Sequence, residues 1–522
     1  MKRSKHLFQL IKSLSKSEKR SFKLFANRNT IGEKNNYIQL FDVIDKQDKY
    51  DEALLIKKLK DPKLTKNLSS VKVQLYNLIL KNLRQYNATN KTIYHLRMQM
   101  DYIDILFEKG LYSQCKKVLK KAQETARKSE NHIILDSLSV YEYQIAVKES
   151  NYNNLENYIN NSYPEVKKIR DTNIMLAEYE YLLASIKLLV LKSNRTGHSV
   201  EKKKFDQIVK HKLLSENPNK HPRICQEEYH TIWGYYYNIM GDKDKTYYHR
   251  KKVIELLEEN IDEVIELPKI WIENARLLLI SLGTYKMYDE FDKEQNIIKK
   301  FIDKISESKK TQNLNAEIYN TIYNTKLDFD IDRGLFKTCS EYIKDAEIHF
   351  KTYENQIGLN STMVMYFNFS YAYFGNGEYQ KSLKWINKLI NNNYGNVRMD
   401  LQCMAQIMNI AIHYELKNYE FITSLVRSTN RFLTKVNRKF KVETSFLKFA
   451  NKSFKNQYSK DLKPIFEKEI DELNQIIKDP FEKRILEYFD IISWIKTKTE
   501  EKSMEQIMSK FVIKEKISRG VM

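Results

Sequence analysis

What the chain lacks narrows its possible classes first. Its 522 residues include only 12 Gly and 7 Pro. That leaves little material for long flexible linkers, and no phosphate-cradling glycine loop is found. The four cysteines, Cys115, Cys225, Cys339 and Cys403, stand too far apart for a metal motif and outline no disulfide framework. A reducing, cytoplasmic setting is expected. There is no HExxH and no paired Cys ligand set, and the ten His are scattered. Adjacent carboxylates such as Glu227-Glu228 point in different directions on a helix, so they read as solvated faces. No catalytic constellation, metal or cofactor is therefore expected. Long apolar runs are also missing. The longest, Tyr181–Leu191, is short and contains Lys187, so no membrane insertion is expected. The basic start MKRSKHLFQLIKSL has its apolar run broken by Gln9 and Lys12 and lacks a small-residue cleavage site, which argues against a secretion signal.

What is present points to helices. Hydrophobic residues make up 42% of the chain, enough for a large core. Their spacing is that of amphipathic helices, with no alternating strand run between hairpin turns. The fold class is all-α. The net charge is +22, with Lys far commoner than Arg. Such a balance suits nucleic acid or an anionic surface. The chain is equally rich in Asn, Ile and Tyr, whose codons are A/T-rich, so the lysine excess also reads as composition. Both readings stand.

Residues 1–90 read as a helical module. Leu7, Phe8, Leu10, Ile11 and Leu14 share one apolar face. Ser15-Lys16-Ser17-Glu18 is a capping box that opens a second helix through Phe22, Leu24 and Phe25. A third helix carries Tyr37, Leu40, Phe41 and Ile44, and a short fourth lies near Asp51–Leu59. A fifth, Leu68–Tyr86, has Val71, Leu75, Leu78, Ile79 and Leu83 at helical spacing. The module could cap a helical array or bind DNA as a helix-turn-helix, although no recognition-helix signature is present.

From residue 91 a two-helix unit recurs. Its clearest copy is Glu228–Glu259, with Trp233 and Gly234 inside the first helix, Gly241-Asp242 at the turn, and Thr246, Arg250 and Val253 on the second. Turn signals at 110, 150, 197, 241, 286, 334, 377 and 417 lie 40 to 48 residues apart, and five of the twelve glycines sit at this one position. Glycine suits it because it reaches φ > 0 without steric cost. Cys115 and Ala122, and Thr246 and Val253, stand at equivalent small-residue positions. This pattern resembles the tetratricopeptide repeat. The spacing is longer than the roughly 34 residues usual for that family, which predicts longer helices or longer joining loops. The resemblance covers residues 91–440 and implies a right-handed α-solenoid of about eight helix pairs, stacked because no single pair buries its own apolar face. It also implies a concave groove lined by the first helices. Carrying the family's groove register over, residue by residue, gives Arg97, Met100 and Asp104, then Gln144 and Lys148, then Lys187. It continues with Tyr235 and Asn238, Arg276, Asn324 and Asp328, Phe367 and Tyr371, and Tyr414. The Lys/Asn arrangement that clamps a carboxylate terminus in chaperone-binding members is absent from that register.

Lys192–Arg223 is the most polar and basic stretch, and reads as a solvated loop and exposed helix or as an anion patch. Residues 441–522 read as a C-terminal helical cap. Asp461–Ile477 is one helix. Asp479-Pro480-Phe481-Glu482 starts another, with Asp capping, Pro in the first turn and Glu returning to the cap. Its apolar stripe would run through Phe481, Ile485, Tyr488, Phe489, Ile492 and Trp494, and the chain should fray from Arg519. Three functions fit: a non-enzymatic scaffold holding a peptide or protein segment in the groove, a nucleic-acid binder using the basic surface, and, by analogy of architecture alone, a peptide-sensing regulator with an N-terminal effector bundle.

Overall fold

A computed structural model describes residues 3–28, 35–59, 62–149, 152–196, 202–266, 268–305, 311–354, 356–438, 440–453 and 462–509. The turn anticipated at Ser150-Asn151, Gly197 and the end beyond Arg519 lie outside them. Among the described residues the regular structure is helix only. The chain divides into two compact units, Met1–Glu178 and Tyr179–Met522. The changes of sequence character near 90 and 440 fall inside these units.

In the N-terminal unit the first helices are α1 (Arg3–Ser13), α2 (Lys16–Arg28), α3 (Asn36–Asp45), α4 (Glu52–Lys58), α5 (Pro62–Lys66) and α6 (Leu68–Asn90). The capping box forms: the Ser15 N–H donates to Glu18 at 2.8 Å, and the Glu18 N–H donates to Ser15 Oγ at 3.2 Å. Leu7, Ile11, Phe22, Phe41, Leu75 and Ile79 meet in one core. Helix α6 packs on α1, α2 and α3, and then on α7 (Thr92–Glu108). The series continues through α8 (Tyr112–Lys128), α9 (His132–Lys148) and α10 (Tyr152–Asn157), each helix packing on the one before. A π-helical turn, Tyr158–Ser162, leads into α11 (Tyr163–Thr196), which runs across the division between the units.

The C-terminal unit holds more helix pairs. The basic stretch folds into the short α12 (Lys202–Val209) and α13 (Lys212–Ser215), which bury Phe205 and Leu214. Then α14 (Arg223–Met240) pairs with α15 (Lys243–Glu258). The short α16 (Ile261–Glu266) precedes α17 (Pro268–Thr284), which pairs with α18 (Tyr288–Lys304). Helices α19 (Gln312–Tyr319) and α20 (Thr325–Asp332) are joined by a π-helical turn, Asn320–Asn324, and α20 packs on α21 (Phe336–Tyr353). The pairs α22 (Leu359–Gly375) with α23 (Tyr379–Ile390), and α24 (Met399–Glu415) with α25 (Tyr419–Lys435), come next. First helices also pack side by side: α17 on α19 and α20, α20 on α22, and α22 on α24.

One turn recurs. Gly110, Gly241, Gly334 and Gly377 have φ of 70 to 78°, and Lys286 and Lys417, at the same place in their pairs, have φ of 54 and 59°. After each, the next N–H donates five residues back to a helix carbonyl. Leu111 bonds Leu106, Asp242 bonds Tyr237, Met287 bonds Leu282, Leu335 bonds Asp330, Glu378 bonds Tyr373 and Asn418 bonds His413, at 2.8 to 3.1 Å. This is the Schellman closure, which satisfies carbonyls the helix end would leave open. The small-residue positions are buried: Cys115, Ala122, Thr246, Cys339 and Ala346 at 0% exposed, and Val253 at 2%.

The C-terminal end departs from expectation. Helices α26 (Lys441–Ser453) and α27 (Lys463–Ile476) pack together. The helix expected from Asp479 breaks into α28 (Pro480–Lys483), a 3₁₀ turn (Arg484–Glu487) and α29 (Ile491–Glu500), which starts at its own cap, Asp490. Glu482 does not return to a cap beside Asp479. Its carboxylate accepts from the Lys441 and Val442 N–H groups at 3.0 and 3.2 Å, closing the start of α26 instead. The side chain of Phe481 lies outside the described residues.

Candidate functional site

In the N-terminal unit, Arg97 and Asp104 on α7 and Lys148 on α9 are exposed. The Arg97 guanidinium lies 5.9 Å from the Tyr94 ring centroid, and Asp104 accepts from the Tyr141 hydroxyl. Burial first, then that bond, pushes the Tyr141 phenol up to about 12.

In the C-terminal unit, Lys187 on α11 is exposed, with Nζ 5.9 Å from the centroid of half-buried Tyr235 on α14. Asn238, one turn further on, is half-buried. Its amide oxygen has no partner, while its backbone carbonyl accepts from the Tyr285 hydroxyl at 2.9 Å. Arg276 on α17 lies 3.6 Å from Glu317 and 3.5 Å from Ser361 Oγ. From there a chain of amides crosses the first helices. Asn320 donates to Ser361 Oγ at 3.0 Å, Asn324 to Asn320 at 3.0 Å, and Asn368 to Asn324 at 3.1 Å. The π-helical turn presents Asn320 and Asn324 to this chain by resetting the helical register within the first helix. Both asparagines are buried, so Asn324 meets its neighbours rather than solvent.

Asp328, one turn beyond Asn324, is exposed. Protein packed around it, and then the charge of Asp332, push its carboxyl up to about 6, against the opposing pull of Arg398 and the Asn368 amide.

Tyr371 and Phe367 require a correction. The register placed them in an open groove, but they are 4% and 2% exposed. The segment around α29 lies over Tyr371, and Phe367 is buried in the same core with its ring 6.3 Å from the Tyr371 ring. The Asp490 N–H donates to the Tyr371 hydroxyl at 3.0 Å, and the Phe489 ring sits 5.3 Å from the Tyr371 ring. Further contacts fix the segment: the Tyr488 hydroxyl donates to Asp400 at 2.9 Å, and Trp494 Nε1 donates to Glu415 at 2.6 Å. Tyr414 is half-buried against the Trp494 ring at 5.8 Å. The segment ends beside the turn at Gly334, where the Lys337 N–H donates to Glu505 at 2.9 Å. The physical reason is apolar area: Phe489, Ile491, Ile492, Trp494 and Ile495 need a partner surface, which α27 supplies together with Tyr371 and Phe374 of α22 and Tyr414 of α24.

Two further features lie where α14 meets α15. His230 and His249 join Nδ1 to Nδ1 at 2.9 Å, and burial pulls them down to about 4 and about 3. Arg250 is buried beside Gly234. Its signal was visible, as a charged residue at a second-helix position that faces the first helix. The four thiols are buried, and burial pushes Cys225, Cys339 and Cys403 up to about 12, so they carry almost no thiolate at neutral pH. Among the described residues no group of three or more His, Cys, Asp or Glu could hold a metal ion, and no helix is long and apolar enough to cross a membrane.

No family model matches the chain, and neither a curated protein nor a solved structure matches it.

Proposed function

We propose that the chain is a non-enzymatic interaction scaffold whose tetratricopeptide-like pairs, wound as a right-handed solenoid, hold an extended peptide segment along the first helices of the C-terminal unit. The stretch in use is α11, α14, α17 and α19–α20, because α29 covers α22 and α24. The observation that carries this is the side-by-side packing of the first helices, α17 on α19 and α20 and α20 on α22, which brings Arg276, the linked Ser361, Asn320, Asn324 and Asn368 side chains and the exposed Asp328 together across neighbouring pairs. Arg276, Asn238, Tyr235 and Lys187 continue a row of charged, amide and aromatic groups, the chemistry that recognises a peptide backbone with a few anchoring side chains. The cytoplasm is the compartment proposed, on the reduced-cysteine argument.

The test is photo-crosslinking in cells of the source organism. A photo-reactive residue is placed at Ile280 on α17 or at Ile348 on α21, which are 47% and 63% exposed. Crosslinks to one extended segment from Ile280, and none from Ile348, are expected. Equal crosslinking from both sites refutes the groove. Loss of the Ile280 crosslinks after nuclease treatment moves the reading to a nucleic-acid partner on the basic surface.

A further inference from the structure

Helix α11, at 34 residues, is the longest of the described helices, and it is apolar on two faces. Tyr179, Leu182 and Ile186 form the inner face, at 0 to 4% exposed. The Tyr179 hydroxyl holds that face by donating to the Leu213 carbonyl at 3.2 Å. A second stripe, Ile174, Ala177, Tyr181, Ala184, Leu188 and Leu191, runs along the other side. Ile174, Tyr181, Leu188 and Leu191 are 65, 68, 51 and 65% exposed, and both alanines are exposed. A helix that is apolar all round belongs in a covered setting, yet this face is open to solvent. Its residues are spaced alternately by three and four. That is the heptad pattern of a helix-to-helix seam, with Ile174, Tyr181 and Leu188 in one row and Ala177, Ala184 and Leu191 in the other. The pattern stops at its N-terminal end, where exposed Lys167 takes the next place in the first row. Arg170 takes the next place in the second and pairs with Asp136 at 2.8 Å. All six positions lie on one unbroken helix, so the helix alone sets their spacing.

We propose that this stripe is the seam of an antiparallel homodimer, in which α11 packs against α11 of a second copy of the chain. Two features name that occupant. The first is size. With the twofold axis between Leu182 and Leu183, Ile174 meets the partner's Leu191, Tyr181 meets the partner's Ala184, and Leu188 meets the partner's Ala177. The inner layers each set a large side chain on a small one, which fills a seam without voids. A parallel pair would set tyrosine on tyrosine and alanine on alanine. The second feature is charge. Exposed Glu178 and Glu180 flank one half of the stripe, and exposed Lys187 and Lys192 flank the other. Antiparallel packing lays each half on its opposite, with Glu180 across from the partner's Lys187. Parallel packing would set Lys187 beside the partner's Lys192. Lys187 stands at an edge shared with the row assigned to the peptide. None of the six seam residues belongs to that row, and the dimer does not rest on it.

The experiment is sedimentation equilibrium of the full chain from roughly 1 to 100 μM, because a six-residue seam is small among specific interfaces and should dissociate on the order of micromolar. A monomer–dimer equilibrium is expected. Leu188→Glu and Leu191→Glu should each weaken it about tenfold or more. Glu180→Lys should weaken it too, and adding Lys187→Glu should restore it. Mild oxidation then reads the register, since the four native thiols are buried. Ile174→Cys with Leu191→Cys should form a covalent dimer, and Ile174→Cys alone should not. A wild-type chain that stays monomeric over that range gives the stripe to a different protein and overturns the homodimer. A dimer unchanged in both glutamate variants overturns α11 as its seam. A covalent dimer from Ile174→Cys alone, or no recovery in the charge-swapped double variant, overturns the antiparallel arrangement. Both leucines are more than half exposed, so neither glutamate should lower the helicity or thermal midpoint of the dilute monomer. A loss there means that the chain packs on its own stripe, and it overturns the proposal as well.

Discussion

Replacing Gly241 by alanine isolates the cost of the recurring turn. Gly241 has φ of 77°, and a Cβ built there meets nothing within 4 Å. No clash is introduced, so the whole effect is conformational. Holding an alanine in the left-handed region costs roughly 1–2 kcal/mol. The stiffer unfolded chain returns about 0.4–1 kcal/mol of that. A net loss of about 1 kcal/mol is expected, concentrated where α14 meets α15. Because the chain has two compact units, a single global unfolding midpoint would mix events. Amide hydrogen exchange reads the turn directly. The Asp242 N–H, bonded to Tyr237 at 3.1 Å, should exchange about fivefold faster in Gly241→Ala. Gly377→Ala should behave alike, since its Cβ also meets open space. Gly334→Ala should cost more, because the Met508 Cβ would lie 2.6 Å away. The reciprocal change, Lys286→Gly, removes a strained lysine at φ 54° and should slow exchange of the Met287 N–H. If Gly241→Ala leaves the Asp242 amide unchanged, or Lys286→Gly accelerates the Met287 amide, backbone handedness is not what sets these turns.

Three single contacts carry further predictions. Glu482→Ala leaves the Lys441 and Val442 N–H groups open and should cost about 1–2 kcal/mol, read as faster exchange in the first turn of α26; faster exchange only around Asp479 would restore the cap expected there. Trp494→Ala, at a residue 1% exposed, should cost about 3–5 kcal/mol and open residues 488–508 to limited proteolysis, exposing Tyr371; an unchanged cleavage pattern would mean α29 is not held by that ring. Burial lifts Glu469 to about 7, against the Ser445 hydroxyl bond. Because the folded value is the higher one, the folded state binds the extra proton, and stability should fall as pH rises from about 4.5 to 7. Glu469→Gln should remove that slope and stabilise the protein by about 2 kcal/mol at pH 8, below the roughly 3.4 kcal/mol of the full shift because solvent still screens part of the charge, and a slope that survives the substitution would place it elsewhere.

Local rules made part of this molecule legible from its residues alone. The Ser15–Glu18 box, the helical faces through Ile11 and Leu75, and the turns at 110, 241, 334 and 377 depend on neighbours within six positions, so spacing was enough to find them. Lys286 and Lys417 follow from the same period, which marks the turn even where glycine is absent. The long-range pairings were not legible. Glu482 could close any helix start within reach, and only tertiary packing chose α26. The stripe through Phe489 and Trp494 announced that it must be buried, but not that it would lie over Tyr371 and turn a groove position into a core one. Register assigned Asn324 to a groove, while the neighbouring amides of Asn320 and Asn368 drew it into the interior. Arg250 shows the same division. Its charge at a packing position stood plainly in the sequence, but whether a carboxylate lay opposite depended on which helices came together. Periodicity specifies which face is buried. The partner that buries it is chosen by geometry over the whole chain, where apolar area and hydrogen-bond satisfaction are settled together.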